Sequence, residues 1–338
     1  MPTDGYRGDG CLPRVRRGAR RHRAGHVCRQ RRDHPRRRTM SAQRVAMIGV
    51  GVMGAPMAMN LHEADLDLTV CDRSEAARAP FAALGLRCTD RPADCAECDV
   101  VIVMTATSDQ AREVIFGVGG VIEGLTNAKP LIAIMGTVSP ETMRQFARDL
   151  EPYGVGIMDA PVSGGVVKAR AGNLAIIIGG TTTDCETLRP VAEAVGEEIF
   201  HCGALGTGQA TKIVNNLVGI SMLMVAAEAY RIGIENGLSL PDAIPVFEAG
   251  TGRNFLTVTP HAASEAYAAW AGTRGEFDAL QSIITKDIDL ALSLGEAAGP
   301  LPMTNALRAV LAGVGDETFE TWSLIANSAP GGEVDDHG

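Results

Sequence analysis

The segment GTGQATKIVNN, residues 206–216, sets an ammonium and two amides at the head of a strongly apolar run, LVGISMLMVAA at 217–227. Lys212 and Asn216 are four residues apart, and Asn215 is three from Lys212, so on a helix either amide lies one turn along the lysine's face. Burying such groups costs free energy unless each is paired. Either a core carboxylate holds Lys212, or the lysine meets a ligand. A lysine held in a cleft can exchange a proton with the oxygen of a carbonyl/alcohol pair. Burial and a nearby positive charge both lower its pKa, as an acid/base catalyst requires. Asn216 would then hold the lysine or the ligand in place, and Gly206 and Gly208 leave room for a close approach.

A second constellation stands near the start of the apolar sequence. Val45 to Ile48 reads as a strand, and Gly49-Val50-Gly51-Val52-Met53-Gly54 is a G-x-G-x-x-G that leads into a periodic helix with Met57 and Leu61 on one side. The first glycine permits the tight turn, the second lets a pyrophosphate approach, and the third lets helix and strand pack closely. The helix N-terminus favours the phosphate charge. Asp72 ends the next strand, Leu68 to Cys71, where a carboxylate accepts hydrogen bonds from ribose hydroxyls and repels a 2′-phosphate. That favours NAD, while Arg73 beside it is suited to pairing with the extra phosphate of NADP. The bland alternative makes Asp72 an N-cap of the helix in SEAARAPFAAL.

Strand and helix patterns alternate from there. DVVIVM (99–104), LIAIM (131–135) and GVGIMDA (154–160) read as buried parallel strands, with SDQAREVIF and SPETMRQFARDL as helices between them. LAIIIGG (174–180) and EEIFHCG (197–203) are expected at the far edge of the same sheet. Loops at strand C-termini carry ligand contacts in such sheets, which singles out Thr105, Thr137 and Ser163-Gly164-Gly165. After Gly203 the pattern is helical. One long helix is expected from Gln209 to Asn236, with shorter ones near 241–249, 278–297, 302–314 and 317–326. The predicted architecture is an α/β Rossmann domain with a mostly parallel doubly wound sheet (41–203), then an all-α domain entered by a long interdomain helix (204–328). Segments 1–40 and 329–338 are expected to be disordered tails.

Composition narrows the class. The chain has 338 residues, 46% hydrophobic and 4% aromatic, enough for two domains. Eight cysteines without regular spacing suggest reduced thiols and a cytoplasmic protein. Cys95-x-x-Cys98 has no second pair or close histidine pair to complete a zinc site, so no metal is expected. No uninterrupted apolar run reaches the roughly 18 residues of a membrane span. Residues 1–39 hold thirteen arginines against three aspartates, although the whole chain has a formal net charge of −9. Met40 is expected to be the natural start. A targeting leader and a nucleic-acid arm are the alternatives, the leader poorly served by a segment without serine and nearly without aliphatic residues.

IGVGVMGAPMAMNL, DAPVSGG (159–165), A-x-x-G-N-L (169–174), GTGQATKIVNN and TKDIDLAL (285–292) occur in that order. Together they resemble the β-hydroxyacid dehydrogenases over residues 43–326. The resemblance implies an NAD(P)-dependent enzyme that interconverts a small 3-hydroxy acid and its semialdehyde, working as a homodimer or homotetramer. It makes Lys212 the catalytic lysine and Asn216 its partner, with Asn215 beside them. Ser163 and the amides of Gly164 and Gly165 become the carboxylate cradle, and Lys286 a second lysine reaching toward cofactor and substrate. Thr105-Ala106 stands where family members commonly carry Leu-Pro, and Ile134 and Gly136 stand at the ends of their Asp-x-Ser. Reduction of tartronate semialdehyde and oxidation of a threonate-type acid are alternative reactions. Arg253, Asn254 and Phe255 are expected to select among substrates. A non-catalytic dinucleotide-binding module with a basic arm is the competing class, and it would not need Lys212, Asn216 and Ser163 together.

Overall fold

Val45, Ala46, Met47 and Ile48 are all buried, as expected of a parallel strand covered by helices on both faces. The structure, a computed structural model, describes residues 42–328. The expectations for the arginine-rich segment and for 329–338 lie outside those residues. The chain runs β1 (Arg44–Ile48), α1 (Gly54–Glu63), β2 (Asp67–Cys71), α2 (Glu75–Ala83), β3 (Arg87–Thr89), β4 (Val100–Val103), α3 (Ser108–Phe116), β5 (Leu131–Ile134), α4 (Pro140–Leu150) and β6 (Gly156–Asp159). Strand order is β3-β2-β1-β4-β5-β6, every pair parallel. Alternate residues serve opposite faces: Val45 and Met47 join the core under α1, and Ala46 and Ile48 join the core under α3 and α4. Strand order reverses between β1 and β4, the switch point at which such sheets bind ligands.

The next strands correct one expectation. β7 (Val162–Ser163), α5 (Gly165–Arg170), β8 (Leu174–Ile178), α6 (Thr182–Val195) and β9 (Gly196–His201) follow. β8 and β9 do not extend the parallel sheet; with β7 they make a separate sheet in the order β7-β8-β9. The cause is local. After Pro161 the chain makes β7, which pairs antiparallel with β8, and among the described residues a single antiparallel bridge, between Asp159 and Gly179, joins the two sheets.

The helical half comprises α7 (Thr207–Glu235), α8 (Leu240–Ala249), α9 (Ala262–Ala271), α10 (Arg274–Leu294), α11 (Pro302–Ala312) and α12 (Asp316–Ala326). Its core gathers Leu223, Tyr230, Tyr267, Phe277, Ile288 and Trp322. The sequence reading overlooked α9, because alanine-rich AASEAYAAWA shows little contrast between faces. Its anchor is Tyr267, whose hydroxyl donates to Leu223 O at 2.7 Å and whose ring meets Trp322 edge-on. By length and composition α7 is able to cross a bilayer, with mean hydropathy 1.5 over an 18-residue window. Uninterrupted runs missed this because small and polar residues punctuate the helix. In the fold α7 packs on β6 and β8 and on α10 and α12.

Gly54 allows α1 to lie close to β1, since a Cβ there would overlap Gly49 O and lie 3.2 Å from Met47 Cε. Gly54→Ala is therefore expected to cost about 1–3 kcal/mol through overpacking and to weaken dinucleotide binding at least tenfold. Thermal unfolding and fluorescence titration with NADH measure the two effects.

Candidate active site

The glycine loop is built as its spacing requires. Gly49 has φ +93°, and its N–H donates to Cys71 O at 2.8 Å. Gly51 faces open space, with nothing within 4 Å of a Cβ built on it. α1 has Met53 at its N-cap and no side chain capping it, which leaves first-turn N–H groups for a phosphate. Val52 is exposed beside them. Asp72 Oδ2 accepts from Val50 N and its Oδ1 from Ser74 N, both at 2.9 Å. The carboxylate is thus locked onto the loop. It is not the N-cap of α2; that is Ser74, which accepts from Ala77 N at 3.3 Å. Arg73 is exposed, its guanidinium 3.6 Å from Glu113. A dinucleotide fits this frame of open glycine, uncapped helix and fixed carboxylate.

The loops after β4 and β5 touch one another. A Cβ on Gly136 would overlap Thr105 O, and Ile134 is buried within β5. These departures from the family pattern pack one loop on its neighbour. Thr137 contributes its carbonyl, which accepts from Lys286 Nζ at 3.0 Å.

Lys212 is 9% exposed, and its pKa is lowered to about 8. Burial is the main cause; the Lys286 charge lowers it further, and Asp287 opposes both. Among the described residues no carboxylate forms an ion pair with Lys212. Asp287 is claimed by others: its Oδ2 accepts from Asn216 Nδ2 at 2.6 Å, and its Oδ1 lies 3.0 Å from Lys286 Nζ. Asn216 therefore orients Asp287 and does not hold the lysine itself. Asn215 reaches across to the second sheet, Nδ2 donating to Ser163 Oγ at 3.4 Å. Gly164 and Gly165 follow Ser163 with φ +136° and +68°, conformations that favour glycine. The structure thus gathers Lys212, Asn216, Lys286 and Thr137, and ties Asn215 to the cradle.

Three residues that position this group were absent from the sequence-derived site. Asp159, fully buried at the end of β6, accepts from Gly206 N through Oδ1 at 2.6 Å and from Gln209 N through Oδ2 at 2.7 Å. It caps α7, whose own N-cap, Gly206, has no side chain to do so. Burial pushes the Asp159 carboxyl up, and the Gly206 and Gln209 N–H groups hold it back. Gln209 is also fully buried; its Oε1 accepts from Val138 N at 3.1 Å and its Nε2 donates to Gly136 O at 2.8 Å. Asp287 is the third. Each lay inside one of the motifs above, and only Asp159, directly after the apolar GVGIM, carried the signal of a polar residue in an apolar setting.

Other expected residues fall elsewhere. Arg253 pairs with Glu248 at 2.8 Å, Asn254 Nδ2 donates to Gly252 O at 2.7 Å, and Phe255 meets Trp270 edge-on. All three are engaged within the helical domain, and their contacts do not reach the lysine cluster. Cys95 and Cys98 are buried in the sheet core, and all six cysteines among the described residues are free. A hydrogen bond to the Cys71 thiol, then burial, pushes Cys95 up. No group of three or more metal-ligating side chains occurs among the described residues.

Two family models match the chain. The NAD binding domain of 6-phosphogluconate dehydrogenase covers residues 44–203. The NAD-binding domain of NADP-dependent 3-hydroxyisobutyrate dehydrogenase covers 206–321. A 3-hydroxyisobutyrate dehydrogenase of Pseudomonas aeruginosa is 33% identical over 262 residues, 75% of this chain and 85% of that protein. The 2-(hydroxymethyl)glutarate dehydrogenase of Eubacterium barkeri is 32% identical over 263 residues, covering 77% of this chain and 85% of the relative. A solved 3-hydroxyisobutyrate dehydrogenase of Mycobacterium tuberculosis, with L-serine, superposes with a TM-score of 0.68 at 29% identity, over 80% of this chain and 93% of the other.

Because folding lowers the pKa of Lys212 below its unfolded value, the folded state binds fewer protons. The buried charge costs stability in full below about pH 8, and the cost fades as pH rises toward the unfolded lysine value. Lys212→Met should therefore unfold at a higher temperature than wild type at pH 7, by a stability gain on the order of a few kcal/mol. The gain should shrink by pH 10. Calorimetric scans of both proteins between pH 6 and 10 measure it.

Proposed function

The chain belongs to the β-hydroxyacid dehydrogenase family and is an NAD(P)-dependent hydroxyacid dehydrogenase; from that premise we propose that it oxidises a small 3-hydroxy acid of the 3-hydroxyisobutyrate type to its semialdehyde, preferring NAD. The observation that carries this reading is the buried Lys212 with its lowered pKa, positioned where the dinucleotide domain hands over to the helical one. The bound dinucleotide supplies the hydride acceptor. Neutral Lys212 takes the proton of the substrate hydroxyl as that hydride leaves the same carbon, and protonated Lys212 returns it in the reverse reaction. Its ammonium also stabilises developing alkoxide charge, the more strongly because Lys212 is buried. Lys286 and Asp287 keep the local charge near balance, and Ser163 with the Gly164 and Gly165 amides offers donors to the substrate carboxylate. 3-Hydroxyisobutyrate, 2-(hydroxymethyl)glutarate and L-serine, the molecules named with those relatives, each carry a hydroxyl on the carbon β to a carboxylate.

Asp72 supports NAD over NADP, because a carboxylate fixed on the glycine loop repels a 2′-phosphate. Self-association is supported by α7: Val214, Val218, Met222, Val225 and Ile232 form an exposed apolar stripe along one face. A homodimer or homotetramer would cover it.

Cofactor reduction with 3-hydroxyisobutyrate, glycerate, 3-hydroxypropionate and threonate tests the reaction. One acid should be oxidised, with kcat/KM at least tenfold higher for NAD than for NADP and a loss of 10³-fold or more in Lys212→Ala. Oxidation should rise with pH through about 8 as Lys212 becomes neutral, while reduction falls. No turnover of any acid would defeat the proposal. Val218→Glu with Val225→Glu should convert the oligomer to a smaller species by light scattering; an unchanged mass would place the interface elsewhere.

A further inference from the structure

The chain contains 27 arginines but only four lysines, at 129, 168, 212 and 286. Solvated positive charge is carried almost wholly by arginine, commonly in exposed pairs such as Arg44 with Asp99 and Arg87 with Asp67. Two of the lysines belong to the site already described, and Lys129 donates to Tyr153 O. The fourth, Lys168, lies on α5, directly after the Ser163–Gly165 cradle. Its stem folds over Gly164, where a built Cβ would come 2.6 Å from Lys168 Cδ and 2.8 Å from its Cβ. The Lys168 ammonium is therefore two bonds from an atom already in contact with the cradle. Among the described residues it has no carboxylate partner.

The charge balance of the site gives this placement a purpose. Lys286 is already matched by Asp287. Lys212 must be neutral to accept the substrate's proton. The cradle itself offers only neutral donors, the Ser163 hydroxyl and two backbone amides, and Asn215 adds a neutral amide. An anion held by neutral donors alone lacks the stronger, charge-assisted hydrogen bond that a cation supplies. A lysine suits the place: its compact charge on a flexible stem can follow a small acid, where a guanidinium would demand a planar, bidentate approach.

We propose that Lys168 is the counter-ion for the substrate carboxylate at the Ser163–Gly165 cradle, and so a determinant of the enzyme's preference for acids over their uncharged analogues. The proposal rests on the functional reading above. Its test compares oxidation of 3-hydroxyisobutyrate and of its methyl ester by wild type, Lys168→Met, Lys168→Arg and the control Arg170→Met. Lys168→Met should raise KM for the acid about tenfold, change its kcat less than twofold, and leave both the ester's kcat/KM and the KM for NAD unaltered. Lys168→Arg should fall between, and Arg170→Met should match wild type. Equal losses for acid and ester, no loss at all, or the same loss in Arg170→Met would overturn the assignment. Calorimetric titration of isobutyrate into the NAD-saturated protein gives a readout free of turnover. It should bind about tenfold more weakly to Lys168→Met. If wild type oxidises no hydroxy acid, the functional reading falls, and this titration still decides: weaker binding in the variant sustains the role of Lys168, whereas equal or absent binding ends it.

Discussion

The Asp159 carboxylate, sealed at the end of β6, is the joint on which the catalytic group depends. An unpaired buried carboxylate is too costly to retain, and the first N–H groups of a buried helix are themselves unsatisfied. Each solves the other's problem. Because the contact requires short, directed bonds to Gly206 and Gln209, it fixes where α7 begins and how it is rotated. Lys212, Asn215 and Asn216 follow within the next two turns. The clasp also explains two glycines: a Cβ on Gly179 would lie 2.6 Å from Asp159 Oδ1, and one on Gly208 would lie 2.8 Å from Oδ2.

Gln209 extends the same constraint sideways. Its amide bonds both ways to the loop after β5, which presents the Thr137 carbonyl to Lys286. The chain of contacts then runs through Asp287 to Asn216 and back to α7. This circuit holds two lysines, one of them buried, near one buried carboxylate. Such an arrangement lowers stability, since Lys212 would be protonated and better solvated in the unfolded chain. The same cost makes the lysine a competent base near neutral pH. Stability and function pull in opposite directions at this residue, and the apolar cores around the sheet and beneath α7 offset the difference.

Much of this was legible in one dimension. Glycine spacing, apolar strands of uniform burial and helical periodicity are local properties, and the parallel sheet, the glycine loop with Asp72 and the long helix bearing Lys212 emerged from them nearly intact. The failures were of two physical kinds. β8 was placed on the wrong sheet because strand pairing depends on where β7 reverses, which no property of 174–178 encodes. α9 escaped because alanine supplies helix propensity without a hydrophobic face.

The sequence by itself determined which groups were available: a lysine and two amides on one helical face, a serine before two glycines, and an acid following the second strand. Periodicity and covalent spacing decide such things, and both are read along the chain. Only the tertiary structure decided their partners. That Asp159 caps a helix 47 residues away, or that Asn216 turns to Asp287 and leaves Lys212 without an ion pair, depends on which buried polar groups the packed domains bring within hydrogen-bond reach.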